Sequence, residues 1–578
     1  MSRLILPRGH RHQESAPLAT ATWAVPEEIA DFSYEPGHIW LGLLPCPSSE
    51  AWETIERLQR QQQAVAANPN IAEDRAAEAI DRLQDQIETL NNTDAIDIGI
   101  DDDRHMVTVA GTRGGKGTTL IVPNLVRYPG SVICIDPKGE NARLTAGARA
   151  DSLSANGLDQ KVFVLDPYGT SGLPAEQKAS WNPLDLLSND DPLVIDNAAS
   201  VADALVLRSN AENAHFDDNA RSFIKALILY VALKHEGRPT RNLVTVYDLL
   251  MRGAWAQLAK DRGRPSSSDD PHPFDYLLCL MQREDAFNGV IAGAAITIQA
   301  MGDRERGAVL STARRNLEFL ERTPMRDVLL HSSFDLDWVK TDPQGVSLYL
   351  CLPPARMADC GRWLRLVTRS CLERHYDIET ETATGLPTLF LLEEFASLGH
   401  MEIIEQAAGY AAGFGVKLWV IIQDLGQLKR HYKEGWETFL GNAGVVQAFA
   451  NSDLATLEYL SKRLGETEVL QSVKNVSSSL AATSNDPGLQ HRIHALLQNR
   501  GQASLVTNPL TLLADPASAG QSATTTESWN QQIQRCPLLL PDEIERAFAR
   551  ERFTEMVLVK GKAPMILNRT RRTTNPDS

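Results

Sequence analysis

The chain has 578 residues, too many for one simple core, so two or three domains are expected. Hydrophobic residues make up 43% and charged residues 23%, the ordinary balance of a soluble globular protein. A formal net charge of −17 excludes a uniformly basic protein that coats nucleic acid, while leaving room for a local basic channel.

Seven cysteines (Cys46, Cys134, Cys279, Cys351, Cys360, Cys371, Cys536) lie far apart, with no C-x-x-C and no histidine at metal-ligand spacing, so reduced, mostly buried thiols of a cytoplasmic protein are expected. The first ten residues hold too short an apolar run for a signal peptide. The longest apolar stretches, such as Ala226 to Leu233 and Val290 to Ile298, fall short of the roughly 18 residues that a membrane span needs. A soluble protein, peripheral at most, is expected.

In chain order, residues 1–36 are rich in turn-formers, and Ile39 to Leu44 reads as a strand closed by Pro45. From Ser48 to Asn91 the composition shifts to Glu, Gln, Arg and Ala. Two helical stripes appear there, Trp52, Ile55 and Leu58, then Ile80, Leu83, Ile87 and Leu90, broken at Asn68-Pro69-Asn70. This predicts a helical hairpin, either an insertion packed on its own domain or a partner-docking arm. Ala95 to Ile100 is a strand, and an acidic turn at Asp101 to Asp103 leads to the next.

The stretch Val107 to Thr119 is a buried strand running into a glycine-rich turn, then a lysine, then the start of a helix at Leu120. Glycines let consecutive backbone N–H groups face an anion, the helix start adds partial positive charge, and lysine reaches the outer phosphates. Gly111, Thr112, Arg113, Gly114, Gly115, Lys116, Gly117 and Thr118 are therefore the candidate nucleotide-binding residues. The pattern departs from G-x-x-x-x-G-K-[ST] in two places. Ala110 stands at the first glycine, and Gly117 stands where the Mg²⁺-binding hydroxyl is expected, with Thr118 one place late. Taken alone, the turn also fits a plain strand-to-helix connection.

Ser131 to Ile135 and Val162 to Leu165 are further apolar strands, ending in Asp136-Pro137-Lys138-Gly139-Glu140 and Asp166-Pro167. Strands alternating with helices, with polar residues at their carboxyl ends, predict a mostly parallel α/β sheet whose ligand edge lies there. From about 200 to 330 helical periodicity takes over, at Ile195–Leu207, Ala220–Leu233, Val244–Leu258, Phe274–Leu280, Ala286–Met301 and Arg306–Glu321. This is an inserted all-α domain with a Gly/Pro/Ser loop at 262–273.

The sheet resumes at Val346 to Leu352, followed by a helix from Cys360 to Tyr376. Thr388 to Leu392 is a buried strand delivering Glu393 and Glu394 to the same edge. There the first carboxylate can hold Mg²⁺ and the second can polarise water for phosphoryl transfer; the bland alternative is two solvated carboxylates at a turn. Leu418 to Ile422 ends in Gln423, which is either a sensor of the γ-phosphate or a polar strand cap. Lys429-Arg430-His431-Tyr432-Lys433 is either a nucleic-acid strip or an ordinary charged helix segment. Gly444 to Ala450 is a strand and Asp453 to Leu464 a helix. Gln471 to Gln532 is Ser/Thr/Asn/Gly-rich and reads as a surface segment with a short helix at His491–Gln498. A helix after Pro541 and a strand Met556 to Val559 close the chain.

With these residues in place the chain resembles the coupling-protein ATPases of type IV secretion and conjugative DNA transfer, RecA-like hexameric motors related to the FtsK/HerA translocases. The similar segments are Asp103-Arg104-His105 through Gly-Gly-Lys-Gly-Thr to Leu125, Pro129 to Asn141, Val162 to Pro167, Leu392-Glu393-Glu394-Phe395-Ala396-Ser397-Leu398-Gly399, Ile421 to Asp424 with Gln427-Leu428, and Pro537-Leu538-Leu539 with Pro541-Asp542-Glu543. The family's Gly-Lys-Gly variant of the phosphate loop accounts for Gly117.

The resemblance implies a RecA-like P-loop NTPase with a mostly parallel sheet and an inserted all-α domain. It would be laid out as residues 1–47, 92–199 and 331–578 of the nucleotide-binding domain, a helical hairpin at 48–91 and the all-α domain at 200–330. It also implies ATP and Mg²⁺ as cofactors, with Lys116, Glu394 and Gln423 catalytic and Glu393 and Thr118 holding the metal. A homo-hexamer would drive DNA or a relaxase nucleoprotein into a type IV secretion channel.

Three departures stand out. Many members carry N-terminal transmembrane helices and this chain shows none, so a separate membrane-anchor subunit or a soluble role, cytoplasmic or peripheral at the inner membrane, is expected. Glu393 replaces the usual Asp. The turn Tyr410–Gly415 lacks the arginine that some members place there, leaving Arg463 as a weak alternative. A nucleotide-gated docking platform, or a protein-effector coupling factor with little hydrolysis of its own, is the competing expectation.

Overall fold

The computed structural model describes residues 21–46, 49–67, 73–154, 157–207, 214–262, 272–480 and 523–570. They form two compact units, one built on Thr22–Leu464 with residues 539–570, the other on the described part of Gly465–Leu538. In the first unit the strands are β1 (Ile39–Leu44), β2 (Ile96–Ile100), β3 (His105–Ala110), β4 (Val132–Ile135), β5 (Lys161–Leu165), β6 (Val346–Leu350), β7 (Thr388–Leu392), β8 (Val416–Ile422) and β9 (Ala443–Phe449). After β10 (Glu466–Leu480) and β11 (Ala523–Pro537) of the second unit come β12 (Thr554–Val559) and β13 (Met565–Asn568).

The first unit is organised by one 11-stranded sheet in the order β2-β1-β13-β12-β9-β3-β8-β7-β4-β6-β5. From β9 to β5 every neighbouring pair is parallel, and from β9 outward to β2 every pair is antiparallel. Parallel strands joined by helical crossovers are covered on both faces, which is why they read as unbroken apolar runs rather than as alternating patterns. Val107 and Val109 of β3, with Phe390 and Leu392 of β7, enter the larger core. Met106 and Ala110, with Leu389 and Leu391, enter the smaller core on the other side. Polar groups inside the sheet are paired: Trp419 Nε1 donates to Thr108 Oγ1 at 2.8 Å, and Thr108 donates to Gln447 Oε1 at 3.0 Å. The predicted α/β class with a mostly parallel sheet is what the structure shows.

The larger core runs on into the helices between β5 and β6, where the predicted all-helical stretch is found: Val194–Leu205, Ala214–Lys234, Leu243–Arg252, Trp255–Arg262, Pro273–Met281, Val290–Ala300 and Asp303–Leu317. One predicted helix, Val244–Leu258, is two. It breaks at Gly253, whose φ of 65° and ψ of −164° suit glycine alone, and where a Cβ would sit 2.3 Å from the Pro273 carbonyl carbon. The turn-former was hidden inside an apolar pattern that continued across it.

The hairpin predicted before β2 consists of helices Ser49–Ala66 and Glu73–Asn92, joined by a small core of Ile55, Leu58 and Ile87. The second unit adds regular strand pairing at both ends of the stretch read as a surface segment. β10 and β11 pair antiparallel from Glu466 with Pro537 to Leu480 with Ala523, without a register shift. Thr and Ser in alternation with Val suit a ribbon as well as a loop, and composition favoured the loop. The short helix expected at His491–Gln498 lies outside the described residues. Among the described residues no helix is long and apolar enough to cross a membrane.

Gly253→Ala is expected to lower the unfolding free energy by about 1–3 kcal/mol, the usual cost of a side chain in a glycine-only conformation. Urea unfolding measures this directly, and an unchanged midpoint would mean that the junction accommodates a Cβ.

Candidate functional site

The loop after β3 is shaped by close backbone approach. Gly111 donates to Phe449 O at 3.3 Å, and a Cβ on Gly111 would lie 1.9 Å from the Ala450 carbonyl oxygen. Gly114 donates back to Gly111 O at 3.0 Å, while Arg113 and Gly115 adopt positive φ of 58° and 87°. Gly117 has open space where a side chain would be. Among the described residues, the N–H groups of Gly115, Lys116, Gly117 and Thr118 have no acceptor in the protein. Four consecutive unsatisfied donors at a helix start make an anion cradle.

The helix that follows opens with a π turn, Gly117–Ile121, before the α-helix Val122–Arg127. Pro123 explains this locally: it has no N–H to give to Thr119 O, and its ring crowds that carbonyl, so a wider turn relieves both. Thr118 is exposed, its hydroxyl 3.3 Å from Gly115 O, whereas Thr119 is buried and donates to the same carbonyl at 2.9 Å.

Strand β8 lies between β3 and β7, so Gln423 at its end stands between the loop and the paired glutamates. Gln423 Nε2 donates to both Glu394 oxygens at 3.1 and 3.0 Å, and its Oε1 accepts from Thr112 Oγ1 at 3.0 Å. Lys116 Nζ donates to Glu394 Oε1 at 2.9 Å. Residues separated by 278 and 311 positions thus join in one chain of contacts, Thr112, Gln423, Glu394 and Lys116. Glu394 itself is held at φ 53°, ψ 41°, a left-handed conformation that costs a non-glycine residue about 1–3 kcal/mol and is concentrated at functional sites.

Glu393 turns the other way, into the protein, and accepts from Asn141 Nδ2 at 2.9 Å. Burial, with Asp136 adding to it, pushes its carboxyl up to about 7. Asp136, at the end of β4, is raised to about 6, chiefly by burial. Its Oδ2 accepts from Ala142 N at 2.8 Å, while its buried Oδ1 has no partner. Asp166, at the corresponding end of β5, closes its own turn instead, accepting from Thr170 N, Ser171 N and Ser171 Oγ.

Asn141 and Arg569 went unseen in the sequence. Arg569 follows β13 and is fully buried; it donates to Gly114 O, and its guanidinium lies 4.1 Å from the Phe449 ring centroid. It braces the phosphate loop from behind, and no local pattern marks an arginine 455 positions away as part of that loop. Of the two readings of the basic strip, the ordinary helix segment fits Tyr432 better: it is buried and stacks on Phe395 at 5.5 Å, while Lys429 covers the Trp436 ring at 4.5 Å.

The sheet order, the phosphate loop and the carboxylates on β7 define a RecA-like P-loop NTPase fold with an inserted helical domain. A family model described as Type IV secretory system conjugative DNA transfer matches residues 70–501, and the chain belongs to that family. It is 27% identical over 383 residues to the conjugal transfer protein TraG of Escherichia coli, covering 64% of this chain and 56% of TraG. It is 29% identical over 374 residues to the protein VirD4 of Rhizobium radiobacter, covering 63% of this chain and 48% of VirD4. The chain thus spans about half the length of these relatives. The plasmid coupling protein TrwB, solved with a non-hydrolysable ATP analogue and with ADP and Mg²⁺, shares the fold at a TM-score of 0.53 and 14% identity, over 82% of this chain and 86% of TrwB.

A carboxyl raised in the folded state binds its proton more tightly there than in the unfolded chain, so its contribution to stability falls as pH rises from its ordinary value to its raised one. Glu393→Gln removes that contribution. The variant is expected to gain stability relative to the wild type between about pH 5 and 7, by about 2–3 kcal/mol at most. Denaturant unfolding at a series of pH values checks this, and a constant difference would show that Glu393 titrates normally.

Proposed function

We propose that this chain is an ATP-hydrolysing coupling motor that works as a homo-hexamer and drives DNA, or a relaxase nucleoprotein, toward a type IV secretion channel. The observation that carries the reading is the Thr112–Gln423–Glu394–Lys116 chain of contacts on adjacent strands. The phosphates of ATP bind the free N–H groups of Gly115 to Thr118 and draw Lys116 away from Glu394. Glu394, released from its ammonium partner, orients the attacking water and takes its proton. Gln423, bonded to Glu394 on one side and Thr112 on the other, carries the change from the carboxylate to the loop.

Glu393 and Thr118 are the residues that would hold Mg²⁺, which when bound neutralises phosphate charge. Asp136 Oδ1, buried and without a hydrogen-bond partner, adds a carboxylate oxygen of the kind that suits a hard cation. The turn Tyr410–Gly415 has no arginine, so any arginine that a neighbouring subunit supplies to the site comes from another segment. The motor stands at the cytoplasmic face, held to the inner membrane by a separate anchor subunit.

Steady-state ATP turnover is expected to rise with protein concentration and with added DNA. It should fall by at least about 100-fold in Lys116→Ala and Glu394→Gln. The stimulating strand form, single or double, identifies the cargo. Turnover held at the variants' level in every condition would leave a nucleotide-gated docking platform, or a protein-effector coupling factor, in place of the motor. Arg569→Lys keeps the charge but loses the planar fork behind Gly114, so nucleotide affinity should drop roughly tenfold with the fold retained. Titration with a fluorescent ATP analogue reads this, and unaltered affinity would reduce Arg569 to packing.

A further inference from the structure

A cavity of about 410 Å³ lies away from the nucleotide loop, between the first long helices of the all-α domain, the helix Pro354–Asp377 and the turn that follows Glu394. Its lining includes Asp217 and Glu402 as well as Arg221, Arg362, Arg365 and Arg369. The last three stand on one face of Pro354–Asp377, at spacings of three and four residues.

Two of these cations are neutralised. Arg221 pairs with Asp203 at 3.0 Å and Asp218 at 2.9 Å, and Arg369 with Glu373 at 2.8 Å. The other two are not. Among the described residues Arg362 and Arg365 form no salt bridge, and the buried Nε of each has no hydrogen-bond partner. Arg365 spends Nη1 on the carbonyls of Leu398 at 3.0 Å and His400 at 2.6 Å. Arg315 acts on Arg362 as a further positive charge, more strongly than Glu318 acts as a negative one. Two adjacent, half-buried guanidinium groups with no salt-bridge partner and buried, unpartnered Nε atoms are costly unless an anion completes them.

We propose that this cavity binds a phosphate group, held by Arg362 and Arg365. The forks stand one helical turn apart, and a phosphate has enough oxygens to accept from both, where a carboxylate has only two. The volume holds about one nucleotide unit and is too small for a duplex. The phosphate therefore comes either from a single nucleic-acid strand or from a free phosphorylated small molecule.

Arg365 also holds Leu398 O, the last carbonyl of the 3₁₀ turn Phe395–Leu398 that begins directly after Glu394. A phosphate that draws on Arg365 loosens this hold, which links occupancy to the position of Glu394. This last step, unlike the binding site, rests on the ATPase reading.

The test is thermal unfolding of the full chain with the nucleotide loop saturated by a non-hydrolysable ATP analogue and Mg²⁺. The probes are inorganic pyrophosphate, an oligothymidylate and an oligoglutamate peptide; the variants are Arg362→Gln and Arg362→Lys. Without probe, Arg362→Gln should melt higher than the wild type, because an unpaired buried charge is gone. Pyrophosphate or oligothymidylate should raise the melting temperature of the wild type and of Arg362→Lys, with apparent affinity at least tenfold weaker in Arg362→Gln.

A larger shift with oligothymidylate at equal phosphate concentration assigns a strand; an equal or larger one with pyrophosphate assigns a free phosphate. The proposal is overturned if neither phosphate probe shifts the wild type, if Arg362→Gln responds like the wild type, or if oligoglutamate matches the phosphates. None of these readings requires turnover, so failure of the motor reading leaves them interpretable.

Discussion

The site depends on the placement of one strand. β8 separates the strand that carries the phosphate loop from the strand that carries the paired glutamates, and so fixes how far Lys116 must reach to meet Glu394. Parallel neighbours hold their carboxyl ends level along one edge, and Gln423 fills the gap that this leaves. The strain at Glu394, the glycines of the loop and the π turn before Pro123 all serve the same end. Each keeps a backbone or side-chain group pointed at a small volume that a relaxed strand-to-helix connection would close.

Much of this was legible in the amino-acid order because burial on both faces leaves strong traces. β3, β4, β6, β7, β8 and β9 are short apolar runs ended by polar residues, and the helical domain follows a 3.6-residue period. What escaped notice did so for physical reasons. Gly253 interrupts a helix inside a continuing apolar pattern, and the ribbon of β10 and β11 is written in residues that serve loops as well as strands. Tyr432 looked like an aromatic among basic residues, but its neighbours in space, Phe395 and Phe439, stand on other elements and pack against it. Asn141 and Arg569 act on the site only through contacts made at long range.

Charge is handled in three ways in this unit. Lys116 and Glu394 are paired and half-buried, ready to exchange partners. Asp136 and Glu393 are acids whose carboxyls burial pushes up, Asp136 adding to the effect on Glu393. Arg362 and Arg365 are half-buried cations that, among the described residues, form no salt bridge. The net negative charge of the chain hides these local arrangements, since titratable groups in a dry cleft answer to their nearest neighbours more than to the total.

The brace behind the phosphate loop has a consequence for the order of assembly. Gly114 is followed by 455 positions of chain before the arginine that supports it, and the neighbours of β3 in the sheet, β8 and β9, come more than 300 residues later. On the ribosome the loop therefore emerges as a bare segment, with its apolar strand unpaired on both edges, and it stays so through synthesis of the entire helical domain. Chaperone occupancy and aggregation risk should peak in that interval. Nucleotide cannot act as an early folding template for this chain; it can only select molecules that have already been finished.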